Sequence, residues 1–399
     1  MDLRARLNRR VLDEIGPSGI RGITELARTI PGAINLSIGQ PDFPVPGGIK
    51  QAAVDAILND RNGYSANQGL DQLRLAVADH LLCDVGWQIA GPGQPPNNAN
   101  LLITGGTSGA ILLACLAMLD LGDEIIIPDP YFVIYPPIAA ICGARAVRCH
   151  TYPDFRMTAE RVAPLITPRT KMVLCNSPGN PSGTVASSKE CADLLALCRS
   201  KDLLLACDEI YDDFTYSESR IERTADGSRL ACPSPARIAG AEENVLLIRG
   251  FGKTYGITGW RLGFAAGPTF LIEQMLKLQQ HTFVCAPTPL QWGAIEALRT
   301  DMSAVIAHYE QRRDRVFDRL SRVTDIERPG GAYYAFPKVP PRLNMSASQF
   351  ALKLIDEKVL VVPGTVFSGP EHDTHFRISF ATPDDTLDRG LQIITRLMS

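Results

Sequence analysis

Short apolar runs punctuate the chain between residues 99 and 266: LLIT from 101, EIIIP from 124, AVRCH from 146, KMVLCN from 171, LLLACDE from 203, VLLIRG from 245 and LGFAAG from 262. Helix-like stretches separate them, so the pattern predicts repeated strand-and-helix units. The runs are continuous rather than alternating, as in strands buried on both faces, which predicts a mostly parallel seven-stranded sheet covered by helices. Beyond Gly267-Pro268 the pattern changes. FLIEQMLKLQQ and PLQWGAIEALRTDMSAVIAHYEQRRDRVFDRL carry apolar residues mainly at three- and four-residue steps, predicting long helices, one of which could bridge two domains. The tail mixes GGAYYAF, ASQFALKLIDE, VLVVPG and FRISFA, the pattern of an α+β unit. The fold class is therefore α/β. An N-terminal arm and part of the small domain are expected in 1–45, a large domain in 46–285, and a small C-terminal domain with the interdomain helix in 286–399. GPGQPPNNAN at 91–100 reads as a surface loop, and no internal repeat is present.

Composition narrows the function classes. At 399 residues with 45% hydrophobic content, the chain has ample material for its own cores. Forty basic residues against 43 acidic ones leave a net charge of −3, without the basic field that nucleic-acid or membrane-surface binding requires. No apolar run approaches a membrane span, and MDLRARLNRRVLDEIG lacks the apolar stretch of a signal peptide, so a cytoplasmic protein is expected. Ten scattered cysteines without a C-x-x-C pair, and no histidine pair at ligand spacing, lead to an expectation of reduced core thiols and no metal site.

Three pieces carry candidate chemistry. Thr104-Gly105-Gly106-Thr107-Ser108-Gly109 runs from a strand through a glycine-rich turn into a helix, where free N–H groups and the helix dipole favour an anion. Asp208-Glu209-Ile210-Tyr211 ends the strand LLLAC, placing a carboxylate where open α/β sheets bind ligands, although a helix N-cap would use the same residue. Gly250-Phe251-Gly252-Lys253 follows VLLIR, and a lysine at a strand end can enter a pocket, lose solvation and become a nucleophile. No G-x-G-x-x-G opens a strand–helix–strand unit, which excludes a dinucleotide-binding fold.

Together these pieces resemble the fold-type I pyridoxal-phosphate enzymes, specifically the class I and II aminotransferases. The resemblance runs in order through NLSIGQPDF (35–43), YSANQG (64–69), the Gly106 turn, PDPYF (128–132), NSPGNPSG (176–183), DEIY (208–211), Lys253 to Arg261, VPG (362–364) and Arg377. It implies pyridoxal 5'-phosphate as cofactor, with Lys253 forming the Schiff base and then carrying the α-proton. Asp208 would face the pyridine nitrogen, and Tyr211 and Asn180 would hydrogen-bond the phenolate oxygen. Phe132 would stack on the ring, while Gly106, Thr107, Ser108 and Arg261 would hold the phosphate. Tyr64 would reach that phosphate from the other subunit, which implies a homodimer with shared sites. Arg377 would fork onto the substrate α-carboxylate, helped by Asn180 and the backbone of Gly39.

The activity so implied moves the α-amino group of an L-amino acid to a 2-oxo acid by a ping-pong cycle, with 2-oxoglutarate and glutamate as one pair and aspartate, aromatic or broad partners for the other. A β- or γ-eliminating lyase or synthase on the same scaffold is the alternative. Two departures matter. Many members read Ser-Phe-Ser-Lys where this chain has Gly250-Phe251-Gly252-Lys253, so hydroxyl contacts to the phosphate are lost. Ser108 stands where some aspartate aminotransferases carry a lysine, so acidic side-chain specificity lacks support. Ser18-Gly19-Ile20-Arg21-Gly22-Ile23 is similar instead to aminotransferases of broad or aromatic specificity.

Overall fold

The computed structural model describes residues 3–95 and 97–399; the start of the expected arm, before Leu3, and Pro96 of the expected loop lie outside the described residues. Each of the seven apolar runs forms a strand of one sheet: β1 (Ala99–Thr104), β2 (Glu124–Asp129), β3 (Arg145–His150), β4 (Thr170–Asn176), β5 (Leu204–Asp208), β6 (Val245–Gly250) and β7 (Gly263–Pro268). Their order is β1-β7-β6-β5-β4-β2-β3. β7 runs antiparallel to both its neighbours, and the remaining pairs are parallel.

Alternation across the sheet explains why the runs are apolar throughout. Along β5, Leu205 and Cys207 enter one core while Leu204 and Ala206 enter another on the opposite face. The same parity sends Asp208 and Glu209 to opposite sides. Register then gathers the turns that carry chemistry: Asn176 lies beside Asp208, Asp208 beside Ile248, Gly250 beside Gly263, and Gly263 beside Thr104. All these positions share one end of the strands, on the side where ligands bind in open α/β folds.

The helix Gly106–Met118 follows β1 directly and packs on the sheet and on the helix Thr269–Thr282. Its Ala110, Leu113 and Ala114 are fully buried, and burial of a leucine side chain such as Leu113 contributes roughly 1.5–3 kcal/mol. That anchoring holds the N-terminal turn of the helix rigid.

A third core, built on Leu36, Tyr309, Phe350, Phe376 and Leu391, belongs to the small unit. Strands Tyr334–Ala335, Phe376–Ser379 and Val362–Pro363 form its antiparallel sheet, and Ile34–Asn35 pairs in parallel with Val359–Leu360. The helical stretch expected as one length divides into Thr288–Ala297 and Ser303–Leu320. The first packs on helices Gly47–Leu58 and Asp71–Val85, and Ala294, Ala297 and Met302 lie in the large unit's core. The change of core therefore falls between Met302 and Tyr309 rather than at 285. Val305 and Ile306 touch both cores, so the bridging helix is Ser303–Leu320.

All ten cysteines are free and six are buried. No helix among the described residues is long and apolar enough to cross a membrane.

Candidate active site

At the shared end of the strands a cavity of about 150 Å³ is lined by Gly106, Thr107, Ser108, Phe132, Asn180, Asp208, Tyr211, Lys253 and Arg261. The structure thus brings together nine of the sequence-selected residues. Lys253 sits in the short helix Phe251–Thr254 after β6, and its Nζ donates to the Gly39 carbonyl at 2.6 Å. Burial, then the nearby Arg377 and Arg261 cations, push its amine down from 10.5 to about 8, with Asp208 acting in the opposite sense. An amine near neutrality is a nucleophile and a proton carrier.

Asp208 is buried at the end of β5 and accepts from the Tyr135 hydroxyl through Oδ2 at 2.7 Å. Its Oδ1 is also buried but has no hydrogen-bond partner. Burial raises this carboxyl from 3.8 to about 6, against the Tyr135 bond and the Ile210 N–H, which favour the charged form. A carboxylate oxygen left bare beside a cavity fits a cationic N–H group from a ligand.

Arg377, 1% exposed on strand Phe376–Ser379, donates through Nη1 to Asn180 Oδ1 at 2.9 Å and through Nη2 to the Ser37 carbonyl at 2.7 Å. Its Cζ lies over the Tyr334 ring, 4.4 Å from the centroid, and over the Phe367 ring, 4.8 Å away. Its Nε has no partner, and among the described residues no carboxylate pairs with it. Burial lowers the guanidinium pKa, while the phenols of Tyr334, Tyr211 and Tyr333 counter the change. A planar cation held this way fits a small carboxylate. Tyr211 closes the floor, its hydroxyl 2.9 Å from that of Tyr334, and burial raises its pKa.

The anion cradle is built from the turn after β1. Gly106 has φ +74°, and a Cβ there would lie 2.6 Å from the Arg261 guanidinium, so glycine is required on both counts. Arg261 donates to the carbonyls of Thr258 and Gly105. The helix beginning at Gly106 adds its free N–H groups and dipole. The Gly250 departure has a steric reason: a Cβ there would meet Ile210 Cδ1 at 2.8 Å and Thr107 Cγ2 at 3.1 Å. Thr107 and Ile210 thus occupy the space a serine would need.

The donor set fits pyridoxal phosphate: a bare buried carboxylate oxygen, an amine of lowered pKa, the face of Phe132, and a cationic cradle at the far end. Tyr64, by contrast, is 87% exposed and does not line its own chain's cavity. Sequence reasoning misses Tyr135, Tyr333 and Tyr334. Tyr333 donates to the Gly39 carbonyl at 3.3 Å, and the GGAYYAF run was the available signal for both Tyr333 and Tyr334. On the opposite face from Asp208, Arg249 joins Asp84 at 2.7 Å, Glu209 at 2.9 Å and Asp212 at 3.1 Å, fixing β5 and β6 to helix Asp71–Val85.

Beside the cavity a second, larger hollow of about 860 Å³ opens between the N-terminal arm and the sheet edge. Pro17, Tyr131, Ile134, Phe283 and Val366 form apolar parts of its wall, Ser108 lies on the wall shared with the cavity, and Glu14 is its one charged lining residue among the described residues. Ile20 and Ile23 of the arm helix Gly19–Thr29 pack against the cluster of Phe155, Phe336, Val362 and Phe367.

Comparison with known proteins gives a concordant result. The model of the family described as aminotransferase class I and II matches residues 31–394. The chain is 33% identical to aromatic-amino-acid aminotransferase 2 of Thermococcus litoralis over 97% of both chains. It is 32% identical to an aspartate aminotransferase of Pyrococcus abyssi, again over 97% of both. The crystal structure of an aromatic aminotransferase from Pyrococcus horikoshii superposes with a TM-score of 0.84 at 30% identity, covering 95% of this chain and 98% of that one.

Proposed function

Because the chain belongs to the class I and II aminotransferases, we propose that it transfers the α-amino group of an aromatic or other large apolar L-amino acid to a 2-oxo acid, 2-oxoglutarate being the expected acceptor, in a ping-pong cycle. The observation that carries the catalytic part is a set of three unmet demands at one place: Lys253, an amine of lowered pKa, and Asp208, with a bare carboxylate oxygen, line one cavity, and Arg377, a guanidinium without a carboxylate partner, is bonded to Asn180 of its wall. When bound, pyridoxal phosphate supplies an aldehyde that condenses with amines and an electron-poor ring that takes up the electron pair left at the α-carbon.

The chain's residues do the rest. Lys253 would hold the cofactor covalently and, once its amine is free, would move the proton from the α-carbon. Asp208 holds the ring nitrogen protonated, and Tyr135 keeps Asp208 charged by donating to it. Tyr211 and Asn180 would bind the phenolate oxygen, Phe132 would stack on the ring, and Gly106, Thr107, Ser108 and Arg261 would hold the phosphate. Arg377, oriented by Asn180 and the Ser37 carbonyl, takes the α-carboxylate beside the Gly39 backbone. Tyr64 completes the phosphate site of a second copy, so the working unit is a homodimer, acting in the cytoplasm.

The donor class follows from the larger hollow. Its wall offers apolar side chains and rings, and the one charge in its described lining is the carboxylate of Glu14, so a donor with a second carboxylate would meet no cation there. Single-turnover mixing of cofactor-loaded enzyme with one donor and no acceptor tests the proposal. Wild type should release one equivalent of 2-oxo acid per site and stop, with phenylalanine or tyrosine outperforming aspartate. Lys253→Ala should release none, and borohydride should no longer fix the cofactor to the chain. Continued release of 2-oxo acid and ammonia without acceptor would establish elimination instead, and a preference for aspartate would overturn the donor assignment.

A further inference from the structure

Away from the cavity, the ends of β2 and β3 meet the small unit at three side chains with metal-binding donors. Asp129 closes β2 and is fully buried; its Oδ1 accepts from the Ser368 hydroxyl, and its Oδ2 has no hydrogen-bond partner. His150, paired with Asp129 across the sheet, places Nδ1 3.1 Å from that bare Oδ2 without forming a hydrogen bond to it. His372, from the turn Pro370–His372 of the small unit, places Nε2 3.3 Å from the same Nδ1. The three donor atoms all lie within 4.8 Å of one another.

We propose that Asp129, His150 and His372 form a binding site for a divalent transition-metal ion of the zinc class, one that ties the small unit to the edge of the central sheet. Two imidazoles and one carboxylate, with a position left to solvent, are a donor set that zinc accepts. Bonds of about 2.0–2.1 Å at tetrahedral angles place neighbouring donors roughly 3.3–3.4 Å apart, close to the two short separations here. A shared cation also accounts for the buried oxygen that has no hydrogen-bond partner, and would take the place of the hydrogen bond the two facing imidazole nitrogens make with each other. Support lies behind the donors: the Tyr152 ring stacks on His372 at 4.5 Å and 13°, and Ser368 fixes the carboxylate. The nearby cation Arg148, 3.9 Å from Asp129, is engaged by Glu371 at 2.8 Å.

The position gives such an ion a consequence. Between Asp129 and Phe132 of the cavity wall lie only Pro130 and Tyr131, and the Tyr131 N–H donates to the Phe367 carbonyl at 2.8 Å. Phe367 in turn faces Arg377. An ion held by His372 therefore fixes the segment that backs the substrate-carboxylate site against the strands that carry the ring-stacking residue. This conflicts with the sequence expectation of no metal site, because the three donors come from separate segments and share no local spacing.

The test uses cofactor-loaded protein, treated with chelator and desalted, then titrated calorimetrically with zinc chloride alone and, in parallel, with cobalt(II) followed by visible absorption. Wild type should bind one ion per chain, show the intense visible bands of low-symmetry cobalt, and melt at a higher temperature with zinc. His150→Ala and His372→Ala should each bind at least 100-fold more weakly and lose the bands and the thermal shift, while both retain bound cofactor. No stoichiometric binding by wild type would overturn the proposal. So would binding that persists in both histidine variants, which would assign the ion to the exposed Cys83 or to the cofactor.

Discussion

Replacing Asp208 by asparagine separates the electrostatic strain of the cofactor-free site from its use in the loaded one. In the free protein, burial raises this carboxyl from 3.8 to about 6. A raised folded-state pKa means that the neutral form's stability is fully present below the ordinary value and is lost as pH rises through the folded one. The loss therefore accumulates from about pH 4 and is complete above about pH 6.5, reaching about 3 kcal/mol. The asparagine side chain is neutral throughout, keeps an acceptor for Tyr135 and carries no such cost. Asp212, which burial also raises to about 7, is present in both proteins and cancels in the difference. With an unfolding entropy of about 2.1 cal/mol/K per residue, 3 kcal/mol corresponds to about 4 °C for this chain.

Cofactor-free Asp208→Asn should thus gain about 4 °C on wild type as pH is raised from 4 to 7. Saturating pyridoxal phosphate should reverse the order at pH 8, because ionised Asp208 then has a cation to face and the amide does not. Differential scanning of both proteins, with and without cofactor, across this range is the assay. A melting difference independent of pH in the free proteins would refute the assignment of the bare oxygen as a strained charge. Equal stabilisation of both proteins by cofactor would refute its pairing with the ring nitrogen.

Two further outcomes follow from the same geometry. Gly250→Ser, which supplies the hydroxyl that the family resemblance leads one to expect, should weaken rather than strengthen cofactor binding and destabilise the fold by about 1–3 kcal/mol, since its Cβ meets Ile210 at 2.8 Å; the double variant with Ile210→Ala should recover cofactor affinity measured by fluorescence titration. Arg377→Lys keeps the charge but loses the fork to Asn180 and Ser37, so kcat/KM for every amino donor should fall at least 100-fold in steady-state assays while cofactor affinity stays within a few-fold of wild type; an unchanged kcat/KM would remove Arg377 from the carboxylate site.

The sheet is legible in the sequence because burial on both faces leaves continuous apolar runs, and Asp208 and Lys253 are legible because they interrupt or follow such runs at strand ends. Tyr135 is not, since YPPIAAIC has the pattern of a plain core helix and its role depends on a register that sets it against Asp208. The Arg249–Asp84 pair spans 165 residues and the His150–His372 contact 222, separations at which no spacing rule operates. The helix Thr288–Ala297 is visible in its periodicity, but its allegiance to the large core is decided by which face meets Gly47–Leu58. Gly250 shows the limit most directly, because a missing hydroxyl can be read from sequence whereas the side chains filling its place cannot.

The pairing of Ile34–Asn35 with Val359–Leu360 makes the order of synthesis matter. The first of these strands has no partner in that pair until about eight-tenths of the chain has followed it. Ser37 and Gly39, carried just beyond that strand, supply the carbonyls that receive Arg377 and Lys253. The large unit's seven strands are all translated by Pro268, so a growing chain can assemble the cofactor's platform well before the substrate clamp exists. The substrate-carboxylate site proposed above is thus complete only when these two strands, far apart in the chain, come together, and a chain stopped after Pro268 would hold the seven strands without Arg377.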